Sequence, residues 1–147
     1  MSAYATLVVG VPHDDVIKTV RTERTETRYN EKTGEPYLKM IGESKLMMGN
    51  RELSPNEQDD LYYTVLELKF NMERFSPDCE SSTAQDVIGV AIAKTKDICG
   101  NAKGIWIDNP EKLILDAVGK VLDFLNQIGI DTSKTKPRLC LMPHASY

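Results

Sequence analysis

The segment from Ile17 to Met48 restricts the fold more than any other part of the chain. It holds two runs rich in threonine, charged and branched residues, 17–29 and 36–48, on either side of a polar turn at 30–35. Gly34 can adopt the left-handed conformation that a type I turn followed by a bulge requires. The sequence therefore predicts a long β-hairpin over about 17–48.

The turn also sets the register of this hairpin. If Arg28 faces Tyr37, then Glu26 faces Lys39, which is an opposite-charge pair across the two strands. One face of the ribbon is then charged and must meet water, and the other is apolar only in patches. Such a hairpin is expected to project from the core and to pair with another chain through its edges.

Four residues near the turn are the candidate contact residues of this hairpin. Leu38 and Met40 share the patchily apolar face, and Tyr29 and Tyr37 flank the turn. The alternative is a plain surface hairpin covered by its own domain, in which the tyrosines only pack across the strands. We expect the first arrangement, with a protein partner or a second copy of the chain bound there, a homodimer being favoured.

The rest of the chain contains strands, then helices, then a last strand. An apolar run that Gly10 and Pro12 end, and the period-two apolar pattern of 61–70, predict strands. The segment 83–99 is ambiguous, because Val87–Ala93 fits a buried strand as well. Its apolar residues also share one helical face, which favours a helix.

The segment 110–128 gives the clearest helical signal in the chain. Asn109 stands at the cap, Pro110 at the first helical position and Gly129 directly after the apolar stripe. A closing strand follows at 137–142.

Together these elements predict an α+β fold. A mainly antiparallel sheet carries the long hairpin, and two helices, about 83–99 and 110–128, pack on one face of the sheet. The 147 residues form a single domain over 1–147, since a chain of this length buries enough surface to fold alone.

Composition and charge exclude several classes of partner. Twenty-two acidic against eighteen basic side chains give a net charge of -4, which argues against nucleic acid and anionic membranes as partners. No apolar stretch approaches the about 20 residues of a membrane helix. The start of the chain lacks a signal-peptide pattern, and the three cysteines are widely spaced, so we expect a cytoplasmic protein.

Catalytic and cofactor motifs are absent from the sequence. There is no phosphate-binding loop, no nucleophile elbow and no zinc pattern, so we expect no cofactor. One coincidence remains: both histidines, His13 and His144, follow a proline at the end of a predicted strand. If the two strands run parallel, both imidazoles lie at one sheet edge, whereas antiparallel strands place them at opposite ends.

Two functional hypotheses follow. The first is a small non-enzymatic interaction protein that uses its β-hairpin. The alternative is a metal- or acid–base-dependent hydrolase of an anionic substrate, with His13, Asp15 and His144 as the catalytic candidates and His13, Asp14 and His144 as the metal candidates.

Overall fold

The computed structural model of the protein describes residues 2–54, 57, 62–77, 85–95 and 105–146. Its elements in chain order are as follows: β1 Ser2–Pro12, α1 His13–Val16, β2 Ile17–Tyr29, β3 Pro36–Met48, β4 Arg51–Glu52, α2 Tyr62–Phe70, β5 Glu73–Phe75, β6 Val87–Lys94, α3 Pro110–Gln127 and β7 Arg138–Ser146. They form two antiparallel sheets with helices, which confirms the predicted α+β class. No described helix is both long and apolar enough to cross a membrane.

The larger sheet has the strand order β5-β6-β1-β7, and all its neighbouring strands are antiparallel. Val9, Val11 and Ile88 point from this sheet into the main core. The core continues into buried residues of the helices, which are Tyr62, Val65 and Leu66 from α2 and Ala117, Val121, Phe124 and Leu125 from α3. Helices α2 and α3 therefore cover the same face of the sheet.

The opposite face of this sheet has its own small cluster, formed by Val8, Phe75 and Met142. Because successive side chains of a strand alternate between faces, Val9 on β1 packs in the main core and Val8 packs in the small cluster. Strand β1 is thus buried on both faces, which explains its nearly continuous apolar sequence.

The predicted hairpin is confirmed in detail. Strands β2 and β3 pair without a break from Ile17 opposite Met48 to Tyr29 opposite Pro36, and Arg28 faces Tyr37 as expected. Gly34 has a φ of 71°, and the turn is closed by the Gly34 N–H donating to the Asn30 carbonyl at 2.8 Å. Local turn chemistry was sufficient to predict this element.

Helix α3 is confirmed as well, with one difference at its start. Pro110 is the first residue, and Gly129, with a φ of 73°, follows the helix end. Asn109 occupies the cap position, but it has a left-handed backbone and its side chain makes no capping hydrogen bond. The apolar stripe, rather than the cap, therefore accounts for this helix.

The predicted helix over 83–99 is wrong in its described part, because 87–94 is the strand β6. This segment is apolar at almost every position, so it fits a helical face and a strand equally well. Its central place between β5 and β1 decides the outcome. Gly89 lies opposite Gly10 there, where a β-carbon on either residue would overlap the neighbouring backbone. The predicted residues 83–84 and 96–99 lie outside the described part of the chain.

The predicted strand at 61–70 is also wrong: residues 62–70 form helix α2. The period-two reading relied on Leu68, which is 78% exposed. The buried residues are Tyr62, Val65 and Leu66, whose spacing is that of one helical face. Before the helix, the Ser54 N–H donates to the Glu57 carboxylate at 3.2 Å, a hydrogen bond of the capping-box type.

Candidate functional site

The two histidines lie at opposite ends of strand β1. Strands β1 and β7 are antiparallel, and His144 pairs with Tyr4, whereas His13 follows the far end of β1. Tyr4 and His13 are nine positions apart, which at about 3.3 Å per residue places the histidines about 30 Å apart. The joint metal or acid–base site is therefore not formed, because the two strands run in opposite directions.

The surroundings of His144 point to packing. Its ring stacks on the Tyr4 ring with centroids 4.5 Å apart, and the Lys94 ammonium lies 4.3 Å from the same tyrosine ring. Asp14 and Asp15, near His13, are both exposed. Among the described residues, no group of three histidine, cysteine or acidic side chains is placed to hold a metal ion. Cys140 is a free, half-buried thiol.

His13 instead belongs to a network with three residues that the sequence did not indicate. Its Nε2 lies 2.8 Å from the Tyr62 hydroxyl, and its Nδ1 lies 3.0 Å from Asp14 Oδ1. The Arg74 guanidinium donates to the same hydroxyl and to the Asp86 carboxylate, with 2.6 Å from Nε to Oδ2. Helices α1 and α2 and strand β5 thus meet at one phenol, and Asp86, just before β6, joins the network through Arg74.

The direction of the hydrogen bonds in this network depends on the tautomer of His13. In the tautomer with the proton on Nδ1, this nitrogen donates to the Asp14 carboxylate and Nε2 accepts from the Tyr62 hydroxyl. The phenol oxygen in turn accepts from Arg74. This arrangement of carboxylate, imidazole and hydroxyl has the connectivity of a catalytic triad, with a guanidinium at the oxygen.

Burial argues that this network holds the fold together. Tyr62 is only 4% exposed, and its hydroxyl is occupied by both neighbours. The Arg74 guanidinium also lies over the Tyr63 ring, 5.1 Å from its centroid. A substrate would have to displace these partners to reach the phenol. We therefore interpret the network as a cross-link between elements.

The β-hairpin is the other candidate site, and most of it lies outside the core. Only Ile17 and Met48, at its base, are buried. At about 3.3 Å per residue, the thirteen paired residues span about 43 Å. Leu38 is 73% and Met40 66% exposed, and they lie two positions apart on one face of β3, so together they form a small exposed apolar patch.

The register places the four predicted contact residues on two faces. Tyr29, Leu38 and Met40 share the face of Ile17, and Tyr37 lies on the opposite face. Tyr29 is 66% and Tyr37 48% exposed. The two faces therefore present tyrosines to solvent on both sides of the hairpin tip.

Two ion pairs within the hairpin lie on the second face of the ribbon. Arg24 donates to Glu43 across the strands at 2.6 Å, and Arg28 reaches Glu26 at 3.3 Å. Both pairs are exposed, so each contributes little stability. This face is solvated, as predicted. The face of Leu38 and Met40 is also covered by no described element.

The base of the hairpin is held by backbone hydrogen bonds. The Gly49 N–H donates to the Val16 carbonyl at 2.9 Å, and the Asn50 N–H donates to the Ile128 carbonyl at 2.8 Å. The end of α3 and the entry to β2 therefore fix the direction in which the ribbon leaves the core.

Comparison of the chain with protein-family models, with curated proteins and with solved structures finds no significant match. The functional argument therefore rests on the geometry described above.

Proposed function

We propose that this protein is a non-enzymatic interaction protein of the cytoplasm that self-associates, or binds a partner protein, through its β-hairpin. The observation that carries the proposal is the exposure of Leu38 and Met40 on the part of the hairpin that has only two strands, since β4 pairs only with Met47 and Met48. Large apolar side chains on such a surface are typical of a contact site.

The energetics of a two-stranded ribbon support the proposal. An isolated hairpin of this kind is marginally stable in water, because it buries little apolar surface. Full burial of a leucine or methionine contributes about 1.5–3 kcal/mol. Since roughly two thirds of Leu38 and Met40 is exposed, covering them would add about 1–2 kcal/mol each.

Sedimentation velocity over a range of concentrations tests this proposal. We expect reversible self-association that Leu38→Asp and Met40→Asp each weaken at least about tenfold, or about 1.4 kcal/mol. The matched control is Leu68→Asp, since Leu68 is 78% exposed on α2 and lies away from the hairpin. A wild-type protein that stays monomeric at about 1 mM would contradict self-association.

A further inference from the structure

Strand β2 presents the longest free edge of the described structure. It pairs with β3 along one side over thirteen residues, and the order β2-β3-β4 leaves its other side without a described strand. Proteins usually protect such an edge with a proline, a bulge, a very short strand or charged side chains, and of these β2 has only the charges. Segment 17–29 contains no proline or glycine and its register has no shift, whereas edge strand β7 carries Pro143.

The charges along β2 complement those of a second, antiparallel β2. With a two-fold axis through Thr22, Arg21 lies opposite the partner's Glu23, and Lys18 lies opposite the partner's Glu26. Each pair occurs twice by symmetry, and Arg21, Glu23 and Lys18 are exposed, with no ion pair in the described residues. Opposite charges directly across two strands stabilise the pair.

Neighbouring registers are less favourable. Centring the axis on Arg21, Glu23 or Arg24 places two like charges directly opposite each other, which destabilises strand pairing. Centring it on Thr25 avoids like charges, but only Arg24 and the partner's Glu26 then form a pair of opposite charges, against two such pairs in the Thr22 register. The register through Thr22 therefore has the most complementary charges.

We propose that a second copy of the chain pairs its β2 with this β2, antiparallel and centred on Thr22. The two hairpins then form a four-stranded sheet around a two-fold axis, and the free edge is closed in both copies. This register places Thr27 opposite the partner's Ile17. The turn end of each hairpin, which carries Leu38 and Met40, therefore lies beside the base of the other. The inference rests on the proposed function and names its partner; the pairing uses the edge of β2, and Leu38 and Met40 on β3 stay on one face of the four-stranded sheet.

Charge reversal tests the register by sedimentation velocity. We expect Arg21→Glu and Glu23→Arg each to raise the Kd of the dimer about tenfold, because each turns two attractive contacts into repulsive ones. The double variant restores the opposite pairs and is expected to return the Kd to near the wild-type value. Lys32→Glu, in the hairpin turn, is the control for net charge, since it lies outside the paired region.

Disulfide cross-linking gives a second measurement that does not depend on charge. Thr22 is the residue that faces its own copy, so Thr22→Cys is expected to form a covalent dimer faster than Thr27→Cys under mild oxidation. Wild-type protein measures the background from its native cysteines. Equal cross-linking of the two variants would overturn the register.

The outcomes separate this inference from the function on which it rests. Self-association that responds to Leu38→Asp but not to the charge reversals leaves the hairpin as the contact site and overturns the β2 pairing. A protein that does not self-associate overturns this inference and the self-association in the proposed function, but leaves the binding of a partner protein by the hairpin. Rescue by the double variant supports the inference.

Discussion

Replacing Tyr62 by phenylalanine measures what the His13–Tyr62–Arg74 network contributes to stability. The change keeps the buried ring and removes the hydroxyl that lies 2.8 Å from His13 Nε2 and accepts from Arg74. A hydrogen bond to a charged group contributes about 1.5–3 kcal/mol and a neutral one about 0.5–1.5 kcal/mol. The His13 and Arg74 side chains are 16% and 21% exposed, so water compensates in part. We expect a loss of about 2–3 kcal/mol.

Urea unfolding monitored by circular dichroism provides the assay. With a slope of about 2 kcal/mol per molar urea, the midpoint is expected to fall by about 1–1.5 M. Tyr37→Phe is the control, because Tyr37 is 48% exposed and its hydroxyl has no hydrogen bond in the described structure. The control is expected to change stability by less than about 0.5 kcal/mol. An equally small change for Tyr62→Phe would refute the proposed cross-link.

Three further predictions concern turns. Gly49 and Gly34 have φ values of 61° and 71°, but a β-carbon at Gly49 would overlap the Ile128 carbonyl, whereas Gly34 faces open space. By urea unfolding, Gly49→Ala is expected to cost about 2–4 kcal/mol and Gly34→Ala about 1 kcal/mol. Hydrogen bonds from the Ser133 hydroxyl and backbone N–H lower the pKa of Asp131. The resulting stabilisation is complete above the unfolded pKa of about 3.9 and is lost as pH falls through the lower folded pKa. The difference in stability between wild type and Asp131→Asn should therefore shrink below about pH 4.

Each outcome has a clear contrary result. Equal losses for the two glycine variants would show that backbone conformation alone, without crowding at Ile128, sets the cost. A stability difference between wild type and Asp131→Asn that is unchanged between pH 6 and pH 3 would show that the turn does not depend on the ionised carboxylate.

The candidate site was only partly predictable. Leu38 and Met40 could be placed on one face of the hairpin because the turn fixes the register, and the register fixes the faces. Tyr62, Arg74 and Asp86 could not be found, since they are far apart in sequence and follow no motif spacing. The one available signal was His13 at the end of an apolar strand, and its actual partner comes from a helix that the sequence pattern assigned as a strand.

The sequence by itself determined the hairpin and helix α3. Both depend on interactions between residues close in the chain, a glycine in a left-handed turn and an apolar stripe at helical spacing. The tertiary structure alone decided that 87–94 is a strand, that 62–70 is a helix and that the two histidines lie far apart. An apolar segment is compatible with several conformations, and the neighbours that it packs against select one of them.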